Sequence, residues 1–97
     1  MTITSILDLH VKPEDAAGTP AVLRNVLTDT RNFDGNLGVE VLLDAEDPTH
    51  FLLIERWESM EADTAYRAWR QTPDGASILG KMLAGPPTLT KLTLTDI

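Results

Sequence analysis

The chain has 97 residues, a formal net charge of −7, no cysteine and two histidines. That length suits one domain spanning residues 1–97, and the acidic balance disfavours phosphate backbones and anionic lipid, so neither nucleic acid nor membrane is an expected partner. The missing cysteine excludes disulfides, thiolate nucleophiles and thiolate metal sites.

The opening "MTITSILDLHVKPED" lacks a basic region followed by a long apolar stretch, so no signal peptide is expected and the expected location is cytoplasmic. Residues 3–11 alternate as a strand, with Ile3, Ser5, Leu7, Leu9 and Val11 on one face and Thr4, Ile6, Asp8 and His10 on the other. Lys12-Pro13 ends it. Thr19 is placed to cap a helix that starts at Pro20, and Val22, Leu23, Val26 and Leu27 give that helix one apolar stripe. "NFDGN" is a turn centred on Asp34-Gly35.

Residues 37–44 and 51–58 alternate as two further strands, and the short loop "AEDPTH" between them predicts an antiparallel hairpin. Ser59 is an N-cap residue, and Glu61 and Asp63 suit the positive end of the helix that follows. Ala62, Ala65, Tyr66 and Trp69 sit on one stripe of that helix. Thr72-Pro73 stops it and starts another, with Ile78, Leu79, Met82 and Leu83 as its apolar face and Gly85 past its end. Residues 88–95, "TLTKLTLT", form a last strand rich in β-branched residues.

The order β-α-β-β-α-α-β predicts an α+β fold of the ferredoxin-like, split β-α-β kind: a four-stranded antiparallel sheet with helices on one face. The other face carries Ile6 and Leu42, and covering it with a second copy of the sheet predicts a homodimer.

Trp57, Tyr66 and Trp69 are three of the chain's few aromatic residues. They read either as core or as the walls of a small-molecule pocket; the Tyr66 hydroxyl and the neighbouring Arg70 add donors to apolar surface. An unperturbed imidazole has a pKa near neutrality, which makes His10 a candidate base, or alternatively part of a network with Asp8, Glu40 or Arg56. His50 falls in the hairpin loop as a solvated residue. The two histidines show no close carboxylate pattern, so no metal site is expected. Asn36 completes the turn before the second strand, and Arg56 reads as a cross-strand charge partner of Glu40.

The span "GNLGVEVLLDAEDPTHFLLIERWESMEADTAYRAW" resembles the antibiotic biosynthesis monooxygenase family. The resemblance implies a homodimeric α+β barrel with a small pocket in each subunit between sheet and helices. It implies oxidation of a phenol, quinol or anthrone by molecular oxygen, with no flavin, haem or metal cofactor. Trp57 matches the family tryptophan. The polyketide-tailoring members' asparagine and tyrosine fall at Leu53 and Asp63, and the histidines of quinol-oxidising relatives fall at Tyr66 and Asp74. In the haem-degrading branch Tyr66 replaces a tryptophan, the haem ligand falls near Ala76 and an asparagine falls near Leu7, so haem degradation is not expected. Within such a pocket the aromatic cluster makes Trp57, Tyr66 and Trp69 the expected substrate-binding residues, Tyr66 the group expected to bond a substrate oxygen, and His10 a distant candidate base. A non-catalytic binding or structural dimer of the same fold is the alternative.

Overall fold

Strict alternation lets two strands pair along their whole length. In the computed structural model, which describes residues 1–97, β1 (Ile3–His10) runs antiparallel to β3 (His50–Trp57), with Ile3 opposite Trp57 and His10 opposite His50. Strand β2 (Asn36–Leu43) pairs with the other edge of β3, and β4 (Thr88–Leu92) with the other edge of β1. The sheet order is β2-β3-β1-β4, antiparallel throughout. Helices α1 (Thr19–Asn32), α2 (Met60–Arg70) and the single turn α3 (Leu79–Met82) complete the predicted α+β, ferredoxin-like order.

Leu9 from β1, Val11 just beyond it, Phe51 and Leu53 from β3, and Leu23 and Leu27 from α1 belong to the larger buried cluster. Ile3, Trp57 and Tyr66 make a smaller one at the other end, with Phe33, Ala62 and Trp69 packed against it. On the open face, Leu42 of β2 stays 47 % exposed, and Ile6, Leu52 and Ile54 are only half-buried. Arg56 bonds Glu40 there at 2.6 Å, the cross-strand pairing expected from sequence. No helix is long and apolar enough to cross a membrane.

Several local expectations shift. Thr19 is the first helical residue rather than the cap. The segment before it folds into a 3-10 turn, and the Thr19 hydroxyl donates back to the Asp15 carbonyl at 2.9 Å. Ser59 does cap α2, accepting from the Ala62 N–H at 3.1 Å. The helix expected after Pro73 shrinks to one turn, because the chain first folds back on the end of α2. Gly75 marks that approach: a Cβ there would lie 2.0 Å from the Trp69 carbonyl oxygen. Strand β4 stops at Leu92 because Thr4, its partner, is next to the first residue of β1.

Gly35 holds φ at +89°, and a Cβ on it would come within 2.5 Å of the Ala62 Cβ. The Gly35→Ala protein is therefore expected to lose about 1–3 kcal/mol of stability. Urea unfolding checks this: the midpoint should fall while the slope stays constant, and an unchanged midpoint would contradict the close α2 contact.

Candidate functional site

Alternation on β3 turns Glu55 and Trp57 toward the helices, and the register of α2 brings Asp63, Tyr66, Arg67 and Arg70 to meet them. Glu55 and Asp63 are both buried acids, and a buried charge is tolerable only with partners. Asp63 is 0 % exposed and has three. The Ser5 hydroxyl donates to it, Arg67 Nε lies 3.3 Å away, and Lys91 Nζ of β4 lies at 2.9 Å. Arg67 Nη2 then donates to Glu55 at 2.6 Å, and the Trp57 indole N–H reaches the same carboxylate oxygen at 3.3 Å.

Burial pushes the Asp63 carboxyl up, but the hydrogen bonds from Ser5 and Lys91 and the Arg67 charge outweigh it, so its pKa lies below the ordinary value. Burial likewise works against the charge of Arg67, and Glu55 and Asp63 more than restore it. Sequence alone missed this network. Asp63 reads as a helix-dipole residue and Lys91 only as part of a strand rich in β-branched residues; the docking of α2 joins them.

Beside the network lies a cavity of about 250 Å³ between the sheet and the helices. Leu7, Leu27, Leu53 and Leu79 give it apolar walls, while Glu55, Tyr66, Arg67 and Arg70 supply polar ones. A larger hollow of about 350 Å³ lies between α1 and the edge strand β2, but its only polar side chains are Arg24 and Arg31, without an acid or a hydroxyl. Of these two, the smaller brings an acid, a hydroxyl and two guanidinium groups together.

Of the three rings read as pocket walls, Tyr66 alone reaches this cavity. Trp57 is fully buried behind it, ring centroids 4.9 Å apart, and its one hydrogen bond toward the site goes to Glu55. Trp69 packs against Phe33, with the Arg70 guanidinium 4.8 Å above its ring. The Tyr66 hydroxyl lies 2.7 Å from Thr30 Oγ1 and accepts from Arg70 Nε at 2.7 Å. Arg70 also donates to the Gly75 and Val26 carbonyls and to Thr30 Oγ1, each at 3.0 Å. All its acceptors are neutral, and no carboxylate forms an ion pair with it.

His10 sits on the opposite face of the sheet from this cavity, as alternation requires. The reading of His50 as a loop residue without carboxylate neighbours is corrected by the structure. His50 begins β3 directly opposite His10, and the two rings stack at 4.2 Å. Its Nδ1 lies 2.8 Å from Asp44 and its Nε2 2.9 Å from Asp8. Those two carboxylates, Asp44 first, hold its pKa above the ordinary value. Strand β3 starts one residue earlier than its pattern implies, and that residue is the histidine.

A four-stranded antiparallel sheet with helices on one face, and a small pocket between them, defines a ferredoxin-like α+β protein. The chain belongs to the antibiotic biosynthesis monooxygenase family, whose pattern matches residues 2–76. Among solved structures it is similar to Rv0793 from Mycobacterium tuberculosis, with 23 % identity, a TM-score of 0.80, and 100 % of this chain and 98 % of that one covered. It is also similar to PA3566 from Pseudomonas aeruginosa, at 20 % identity and a TM-score of 0.76, covering 98 % and 95 % of the two chains. SnoaB, a cofactor-independent oxygenase from Streptomyces nogalater, matches at 15 % identity and a TM-score of 0.80, covering 99 % and 95 %. At these identities the likeness speaks for the fold. No curated protein sequence matches the chain.

The stabilisation from ionised Asp63 is complete above its unfolded pKa, about 3.9, and is lost as pH falls through that value toward the lower folded one. The urea midpoint should therefore drop in that window. Asp63→Asn should remove that share of the acid sensitivity and cost about 3–5 kcal/mol at neutral pH, since Arg67 and Lys91 then face a neutral amide. Urea titrations of both proteins across pH check this, and an Asp63→Asn protein as stable as the parent would remove the network from its stabilising role.

Proposed function

We propose that the protein is a cofactor-independent monooxygenase that oxidises a small phenolic, quinol or anthrone-like compound with molecular oxygen. The observation that carries this reading is Arg70, a guanidinium without a counter-ion, held beside the Tyr66 hydroxyl on the wall of an otherwise largely apolar cavity. An uncompensated cation at low local dielectric favours an anion in the space it faces. An aromatic substrate meets the leucine walls with its rings and the guanidinium with its ionising oxygen.

In this reading Glu55, the carboxylate on the cavity wall, receives the substrate proton. The electron-rich anion passes one electron to oxygen, and the radical pair recombines into a carbon–oxygen bond. The resulting peroxide loses water, so one oxygen atom stays on the carbon as a carbonyl and the other leaves with the two hydrogens. Tyr66 turns its O–H from Thr30 to the substrate oxygen, while Arg70 continues to donate to its ether-side lone pair. Trp57 acts through Glu55, and Trp69 flanks Arg70. His10, on the other face, takes no proton from this cavity.

The second reading, a non-catalytic small-molecule-binding dimer, is favoured by the pairing of Glu55 with Arg67, which already occupies the carboxylate on the cavity wall. Oxygen uptake with a panel of hydroquinones and anthrones separates the two. Turnover should appear with at least one, and Tyr66→Phe should reduce it roughly 10- to 1,000-fold while keeping the fold. Arg70→Gln should reduce it at least as far. Unchanged turnover in Tyr66→Phe would end the role given to its hydroxyl, and binding without oxygen uptake would select the second reading.

The same proposal includes a homodimer in which two open sheet faces cover each other, supported by the exposed Leu42 and the half-buried Ile6 and Ile54 on that face. Sedimentation should give twice the 10.6 kDa chain mass, and Ile54→Asp should shift it toward one chain. A stable monomer of the parent protein at micromolar concentration would overturn the dimer.

A further inference from the structure

The geometry points to a binding site for a divalent transition-metal ion of the zinc class at one end of the open sheet face, formed by Asp8, His10 and His50. These residues are far apart in sequence but meet because β1 and β3 pair in register, with His10 directly opposite His50. One ligand atom from each of the three lies within 4.8 Å of the others. Two imidazole nitrogens and a carboxylate oxygen are the donor set that zinc, nickel and copper(II) prefer, and they leave a coordination position for water.

The two carboxylates flanking His50 put negative charge beside both of its ring nitrogens, which suits a metal ion in place of a second proton. Asp44 Oδ2 lies 2.8 Å from Nδ1, and Asp8 Oδ1 lies 2.9 Å from Nε2. A neutral imidazole carries one N–H, so it satisfies one of these carboxylates and turns a lone pair toward the other. With the N–H on the Asp44 side, Nε2 and Asp8 Oδ1 become two facing acceptors, and a metal ion between them converts that repulsion into two bonds. Asp44 then plays the part of the outer carboxylate that fixes the tautomer and orientation of a ligating histidine.

His10 supplies the third ligand. Its Nδ1 lies 3.7 Å from the same Asp8 oxygen, and its side chain is 56 % exposed, free to turn out of the stack and aim its lone pair at a shared ion. Glu46 and Asp47 in the adjoining loop add negative charge, which raises the local concentration of cations. The site is on the opposite face from the Tyr66 cavity and independent of the chemistry proposed there. It departs from the expectation that the two histidines form no metal site.

Calorimetric titration of the untagged, metal-free protein with zinc chloride tests this, alongside cobalt(II) absorption, whose visible bands report nitrogen and oxygen ligation. One ion per chain should bind, and the thermal midpoint should rise with zinc concentration. His50→Gln, which keeps a hydrogen-bonding side chain in the strand, and His10→Ala should each weaken binding at least tenfold. Asp44→Asn should weaken it about 10- to 100-fold without changing the stoichiometry. Circular dichroism and a parent-like urea midpoint establish that each variant is folded. No saturable zinc binding at 100-fold molar excess would overturn the site, as would binding that His50→Gln and His10→Ala both leave intact.

Discussion

Asp63 has no water around it, and that side of the molecule is arranged to keep its charge. Its three partners come from three different elements: Ser5 from β1, Arg67 from its own helix and Lys91 from β4. A buried carboxylate is intolerant of displacement, because losing any one partner exposes an uncompensated charge to a poor solvent. The network therefore fixes both the rotation of α2 and its depth against the sheet. Everything later on that helix inherits the placement. Tyr66 and Arg70 lie three and seven residues beyond Asp63, on the same stripe, so pinning Asp63 also aims them at the cavity.

The two arginines of that stripe do different work. Arg67 is neutralised by Glu55 and Asp63 and serves the docking of the helix. Arg70 is fixed just as firmly, but by carbonyl and hydroxyl oxygens that cancel none of its charge. One turn of helix separates a structural cation from one whose field remains available to a ligand. The rings behave in a similar way. Trp57 and Phe33 fill space, while Tyr66 fills space on one side and presents a surface on the other.

Much of the fold was legible because it rests on short-range patterns. Alternation along β1 assigned its faces correctly, Ser59 announced the start of α2, and Arg56 and Glu40 were paired by strand chemistry alone. The candidate site was less so. Tyr66 stood out as an aromatic residue with a polar end, but no local pattern singled out Glu55 or Arg67. Their burial depends on how closely α2 approaches the sheet, which no local window contains. The histidines failed for a narrower reason. Alternation placed His10 on the open face, yet a loop read one residue too long removed His50 from the strand and with it the pairing that brings Asp8 and Asp44 together.

The return from α2 to β4 is the least regular part of the chain, a tight fold-back at Gly75, one helical turn and two consecutive prolines. Ser77, Leu79 and Pro87 from this segment close one side of the Tyr66 cavity. Sheet-type hydrogen bonds hold only Met82–Ala84 of this segment, to His10 and Lys12 at the end of β1, so the residues on either side can change in bulk without disturbing the register of β1 with β3. The charged groups, by contrast, are anchored to α2 and β3, where a shift of one residue would be ruinous. Such a division lets the size and shape of the cavity be altered through residues 71–87 while the charged groups on α2 and β3 keep their placement.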